Sequence, residues 1–241
     1  MIVGNGSNLL VADRGVDKAI LFTEKMAGIV RTDGGEIAAD CGALLSRVAV
    51  FAKEQGLTGL EFAQGIPGTA GAGVYMNCGA YDGEMAGVVS KTEYLDGDGV
   101  LQTLQGEEHR FSYRLSVFAE RPDWVITRVF YALAPGDRDA IDDKMRDFAR
   151  RRQGKQPLEF PSAGSVFKRP PGYFAGKLIE DCGLKGCRIG GAQVSEKHAG
   201  FIINAGGATC ADVERLIEKI QQEVYGRFGV ELTCEIKRVQ G

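Results

Sequence analysis

The 241-residue sequence predicts an α+β fold built in two successive units. Three observations predict it. Short apolar runs separated by glycine or polar turns fill much of the first part. Apolar residues at helical spacing come in a few separate blocks. A stretch with two prolines and a glycine, Gly154–Ser162, interrupts the chain before a second mixture of strand-like and helix-like segments.

In order, Met1–Asp13 (MIVGNGSNLLVAD) reads as a strand, a glycine turn and a strand, with further short strands at Ala19–Phe22 and Ile37–Ala39. Leu44–Gln55 has the helical period and stops at Gly56, the residue type that most easily takes the left-handed end of a helix. Gly65–Gly83 is expected to be a long ordered loop, because its glycines and Pro67 interrupt either period. Strands resume at Val88–Leu95, Val100–Leu104 and Trp124–Leu133, the last rich in β-branched and aromatic residues. A charged amphipathic helix covers Asp137–Arg152. Beyond the break, Tyr173–Asp181 reads as helix and Ala199–Asn204 as strand. A cap near Thr209 opens a helix through Asp212–Phe228, and Glu231–Val239 alternates as a closing strand. The expected functional division is 1–135 and 136–241.

With 44% apolar and 25% charged residues, the chain is composed like an ordinary globular protein with a sizeable core. A net charge of −3 gives no basic field, so nucleic acid is not an expected partner. Six cysteines without a CxxC pair and two histidines far from ligand spacing predict reduced thiols and no metal. The absence of a signal-peptide pattern and of an apolar run of about 18 residues predicts a cytoplasmic protein with no membrane insertion.

Thirty-four glycines exceed ordinary usage, and two clusters of them bear on chemistry. Gly4-Asn5-Gly6-Ser7-Asn8 could form a nest of N–H groups around a phosphate or pyrophosphate, or simply a hairpin turn; it has neither GxGxxG nor P-loop spacing. Gly65–Gly83 could set many backbone donors against one ligand or fold on itself as an Ω-loop, and Asn77, Tyr81 and Asp82 suit either.

GNGSNLLV, GIPGTAGAGVYMNCGAYDGE, YRLSVF, SAGSVFKRPPGYFAGKLIEDCGLKG and RIGGAQVSEKHAGFIIN occur here in one order, and together they resemble the UDP-N-acetylenolpyruvoylglucosamine reductases from the first residue to about Glu235. The likeness is to the subclass whose substrate domain ends soon after the last strand. It implies a flavin-binding domain of the vanillyl-alcohol-oxidase kind plus a smaller α/β substrate domain, with FAD as cofactor and NADPH as hydride donor. By resemblance, Gly4, Asn5, Gly6, Ser7 and Asn8, with Gly65, Ile66, Pro67, Gly68, Thr69, Gly71, Asn77, Gly79, Ala80 and Tyr81, hold the FAD. The physical need agrees: the diphosphate requires backbone dipoles and the ring a dry wall.

The resemblance also assigns the reaction, in which a UDP-sugar enolpyruvate receives hydride at carbon 3 and a proton at carbon 2. Ser165 matches the proton donor, Arg114 the clamp on the substrate carboxylate, and Glu235 the active-site glutamate. Outside that context Ser165 reads as a turn residue, Arg114 as a solvated strand residue and Glu235 as an edge-strand charge. Tyr113, Lys168, Gln193, Lys197 and His198 are the expected contacts to sugar or diphosphate, whereas Arg169 stands where some relatives carry Asn. Relatives carry roughly another half-domain ahead of the segment that begins here with Met1, so the lobe around the FAD adenosine is expected to be absent. Two other readings stand beside the reductase. One is a sugar-nucleotide-binding remnant that has lost flavin. The other is an FAD oxidase using oxygen, for which no His or Cys motif for covalent attachment is evident.

Overall fold

The computed structural model describes residues 1–240. The chain forms two compact units, one of Met1–Gly6 with Ala19–Arg151, the other of Ser7–Lys18 with Arg152–Gly241. No helix among the described residues is long and apolar enough to cross a membrane.

The first unit is organised on a five-stranded antiparallel sheet, in the order Leu101–Gln105, Val89–Leu95, Val125–Tyr131, Ile37–Asp40, Ile29–Arg31. Val125–Tyr131 and Ile37–Asp40 carry Val129, Tyr131, Ile37 and Ala39 into the core. Against these lies α1 (Leu45–Glu54), whose Leu45, Val48, Ala49 and Ala52 recur every three or four residues and so share one buried face. Helix α1 ends where Gly56 turns to φ +67°. Its first N–H, on Leu45, donates to the Gly68 carbonyl at 3.0 Å, tying the helix start to the glycine-rich segment.

That segment is not the uninterrupted loop the periodicity predicts: Ala70–Tyr75 forms a short helix, α2. Its residues AGAGVY have no apolar stripe to announce them. The helix is set by Thr69, whose Oγ1 accepts from the Ala72 N–H, and by close packing: a Cβ on Gly71 would sit 2.9 Å from the Cys41 side chain. A separate parallel pair, Ile2–Val3 with Leu21–Phe22, leads into the first glycine turn.

Helix α3 (Arg138–Lys155) runs through Gly154 and stops only before Pro157. Ile141, Met145 and Phe148 bury in the core of the first unit, so the packing division at Arg151 and the functional division expected at 135/136 are different lines.

The second unit has a four-stranded antiparallel sheet, Ser162–Ser165, Phe201–Asn204, Ala192–Val194, Arg188–Ile189, packed with α4 (Ala175–Asp181) and α5 (Cys210–Phe228). Thr209 and Asp212 form a capping box at the start of α5, and Gly229 closes it at φ +65°. The Asp13 carboxylate accepts two more of its early N–H groups, from Cys210 and Ala211, at 2.6 and 3.1 Å. Leu216, Ile217, Ile220 and Val224 of α5 are fully buried, each stabilising the unit by about 1.5–3 kcal/mol as an upper estimate. The closing strand is shorter than its alternation predicts: only Lys237–Val239 pairs, parallel to Leu9–Val11, because Cys234 is diverted into an isolated bridge with Phe167.

Candidate functional site

In the first unit the two glycine clusters meet. The Asn5 side-chain amide donates to the Pro67 carbonyl at 2.7 Å, across 62 positions of sequence. A Cβ on Gly4 would lie 2.4 Å from Thr69 Oγ1, so the contact requires glycine there. Gly6 stands at φ +67° with open space where a Cβ would be, and Gly65 turns at φ +77°. Among the described residues, the N–H groups of Gly4, Asn5, Gly6, Gly68 and Thr69 have no main-chain acceptor. Convergent main-chain donors of this kind are what a diphosphate requires, so the residues present fit that part of an FAD. Ser7 and Asn8 go with the second unit, where the Asn8 carbonyl accepts from Lys237 N–H at 2.9 Å.

Farther along, Gly79–Ala80 pairs with Gly83–Glu84 as a hairpin whose two loop residues, Tyr81 and Asp82, both have positive φ, as the tightest hairpins demand. Tyr81 stacks on Phe148 at 4.3 Å between centroids, and its hydroxyl donates to the Phe148 carbonyl. Ile66 is half-buried, its N–H bonded to the Ala63 carbonyl. Asn77 is buried, with its amide between the Ser112 carbonyl and the Ala86 N–H.

Arg114 occupies a tight turn, at φ +57°, that reciprocal bonds between Ser112 and Leu115 close. Its Nη2 donates to the Gly79 carbonyl at 3.3 Å, and its guanidinium lies 5.2 Å from the ring centre of the half-exposed Tyr113. Thus the structure brings the expected carboxylate clamp to the expected flavin segment.

In the second unit, Ser165 and Glu235 are neighbours through their main chains. Gly164, at φ +82°, makes a bulge in Ser162–Ser165 that shifts the register before Ser165. Phe167 then bridges Cys234, Glu235 N–H donates to the Val166 carbonyl at 2.7 Å, and Lys168 N–H donates to Thr233. Glu235 therefore sits on an irregular, bridged segment, not on the regular strand expected at Glu231–Val239. Asn8 reaches the Glu235 carbonyl with its side-chain amide, at 3.3 Å. The Ser165 hydroxyl donates to the Phe167 carbonyl at a long 3.4 Å, and a Cβ on Gly200 would lie 3.5 Å from its oxygen.

His198 belongs to the same neighbourhood. Its Nδ1 accepts from the Gly200 N–H at 3.0 Å, which leaves the proton of the neutral ring on Nε2. Burial lowers its pKa, so the ring is neutral near pH 7. Glycine at 176 and 200 makes room: a Cβ at either would come within 3.2 Å of His198 Cε1. Gln193 donates to the Gly186 carbonyl, and Lys197 pairs with Glu159 at 3.7 Å. The residues the sequence reading missed are supports: Ser116, whose Oγ donates to the Tyr75 carbonyl, and Asp13. Ser116 lies inside the YRLSVF stretch, which was its only signal.

Residues 1–105 match the family described as an FAD binding domain, which together with the glycine junction defines the class: an FAD-dependent oxidoreductase. Residues 156–239 match the UDP-N-acetylenolpyruvoylglucosamine reductase C-terminal domain. The UDP-N-acetylenolpyruvoylglucosamine reductase of Caldanaerobacter subterraneus is 51% identical over 99% of this chain and 78% of its own length. The reductase of that name from Caldicellulosiruptor bescii is 53% identical over 98% and 76%. A crystal structure of the Thermus caldophilus UDP-N-acetylenolpyruvylglucosamine reductase superposes with a TM-score of 0.87 at 36% identity, over 99% of this chain and 84% of that one. The chain belongs to the UDP-N-acetylenolpyruvoylglucosamine reductase family.

Proposed function

We propose that this protein reduces UDP-N-acetylglucosamine enolpyruvate to UDP-N-acetylmuramate, with NADPH as hydride donor, in peptidoglycan synthesis in the cytoplasm. The observation that supports the reading is the bridge between Phe167 and Cys234, with the Glu235 N–H bonded to the carbonyl of Val166, the residue after Ser165, in a member of this family. Residues 1–135 take the FAD-binding role and 136–241 the substrate-binding role.

The Gly4–Asn8 turn and the Gly65–Tyr81 segment would hold the FAD, with Gly4, Asn5, Gly6, Gly68 and Thr69 offering N–H groups to its diphosphate and Gly79 and Ala80 serving the flavin part. The chemistry FAD supplies when bound is two-electron storage between NADPH and the alkene. Arg114 holds the substrate carboxylate with a planar fork and offsets charge that builds on it as carbon 2 becomes electron-rich. Ser165 gives its proton to carbon 2; a hydroxyl is a weak acid, so the transfer depends on short reach to a strongly basic carbon. Glu235 hydrogen-bonds the carboxyl or enol of the intermediate. Tyr113, Lys168, Gln193, Lys197 and His198 hold the sugar and diphosphate.

The test is NADPH oxidation by the FAD-loaded chain, followed at 340 nm with and without UDP-N-acetylglucosamine enolpyruvate. Oxidation that depends on the sugar nucleotide is the expected result. Tight flavin binding with no such dependence would overturn the assignment.

A further inference from the structure

Asn77 lies in the expected flavin segment, yet it is 1% exposed and both ends of its amide are spent on backbone. Nδ2 donates to the Ser112 carbonyl at 3.1 Å, and Oδ1 accepts from Ala86 N–H at 2.9 Å. Ser112 opens the turn that carries Arg114, and Ala86 follows the hairpin that carries Gly79. One side chain therefore links the turn to the segment whose Gly79 carbonyl Arg114 contacts.

The backbone supplies a second, independent observation. Asn77, Tyr81, Asp82, Arg110 and Arg114 all have positive φ, and all lie within 77–82 and 110–114. Left-handed conformations of non-glycine residues persist only where surrounding contacts over-determine them. Arg114 has no intrinsic preference for φ +57°, so its turn must be held from outside. Asn77 on Ser112 and Ser116 on Tyr75 hold it from outside, and both attach the turn to the same stretch of chain.

We propose that Asn77 is a positioning residue: it locks the Ser112–Leu115 turn onto the Tyr75–Ala86 segment and so aims Arg114. Its functional consequence rests on the reading of Arg114 as the carboxylate clamp. A guanidinium on a loosened turn still carries its charge, but the two-point fit to a carboxylate is lost.

Two variants test it. Asn77→Gly keeps the positive φ without strain and deletes the amide. Asn77→Asp keeps the acceptor for Ala86 and sets a carboxylate oxygen against the Ser112 carbonyl. Hydrogen–deuterium exchange is the first readout. In both variants, peptides covering 110–116 should exchange about tenfold faster, while Val125–Tyr131 exchanges as in the parent.

Steady-state kinetics of the FAD-loaded protein is the second readout. The KM for UDP-N-acetylglucosamine enolpyruvate should rise roughly tenfold, and Asn77→Gly should add nothing to Arg114→Ala. Unchanged exchange at 110–116, faster exchange throughout the unit, failure of both variants to fold, or a further loss in the Arg114→Ala background would each overturn the proposal. A parent protein that does not turn over the sugar nucleotide overturns the functional reading instead, and the exchange data still decide the brace.

Discussion

The first unit builds its candidate site out of main chain, the second out of side chains. Where Gly4, Asn5, Pro67 and Thr69 meet, the useful groups are N–H donors, and the sequence requirement is mostly for what is missing, a Cβ. In the second unit, the groups expected to act are side chains: the Ser165 hydroxyl on a bulged strand, the His198 imidazole fixed by the Gly200 N–H, and Glu235, whose own N–H bonds the Val166 carbonyl. The two sites should therefore fail in opposite ways. The first should be sensitive to added bulk and indifferent to many polar replacements; the second should tolerate small shape changes and lose everything with one functional group.

The sharpest break in that comparison is Ser165→Ala. Removing one oxygen leaves the bulge intact, because Gly164 makes it. Loss of a general acid costs about 10²–10⁴-fold, so turnover of the sugar nucleotide should fall by that factor while NADPH still reduces the flavin. Rapid-mixing measurements of the two half-reactions check it; loss of flavin reduction as well would mean that Ser165 acts on the fold.

The matching experiment on the first unit is Gly4→Ala. The new methyl would meet Thr69 Oγ1 at 2.4 Å, and Thr69 is held in place as the cap of α2, itself 2% exposed. Overpacking of a tight site costs about 1–3 kcal/mol, so FAD affinity should fall roughly ten- to a hundredfold in a fluorescence titration. Asn5→Ala, which removes the donor to Pro67 without adding bulk or charge, should cost less. If the order were reversed, the first site would depend on side chains after all.

The same contrast explains what could be read in the sequence. Helices α1 and α5 were legible because their apolar residues repeat along one face and their ends carry Gly56 and Thr209. The central strand Val125–Tyr131 was legible from its β-branched and aromatic content. Helix α2 was not, since AGAGVY has no stripe, and its helicity follows from Thr69 and from contact with Cys41, far away in sequence. Ile29–Arg31 was missed because it is a short, largely exposed edge strand with little burial to pattern it. Among site residues, the glycine clusters declared themselves by composition. Ser165, Arg114 and Glu235 did not: a lone Ser, Arg or Glu has many roles, and only the family's long motifs singled them out. The work of Asn77 and Ser116 was illegible for another reason, since each hydrogen-bonds to main chain more than thirty residues away.

Acid should separate the units by stability. Asp212 accepts hydrogen bonds from the Gly191 and Thr209 N–H groups and pairs with Arg215, which outweigh the cost of desolvation and bring its pKa from 3.8 down to about 2. A carboxylate whose pKa falls on folding stabilises the fold above its unfolded value and stops doing so as pH drops through the folded value. Between about pH 4 and pH 2, then, the second unit should lose stability through this group, and Asp212→Asn should flatten that slope while weakening the unit near pH 7. Denaturant melts at several pH values, read by exchange in α5 peptides, check it; a parallel slope in the variant would assign the acid sensitivity elsewhere.

The smallest effect expected is at Tyr131, in the core of the first unit. Its ring is fully buried and its hydroxyl finds no partner among the described residues, while burial pushes its pKa above the ordinary phenol range. A buried hydroxyl without a partner keeps its desolvation cost and gains nothing for it, and phenylalanine fills the same ring volume. Tyr131→Phe should therefore leave the unit unchanged or stabilise it by about 1 kcal/mol, with FAD affinity unaltered, as a melt and a flavin titration would read. A loss of more than about 1 kcal/mol would instead identify a hydrogen-bonding partner for that hydroxyl, and this core would then rely on a polar contact as the second site does.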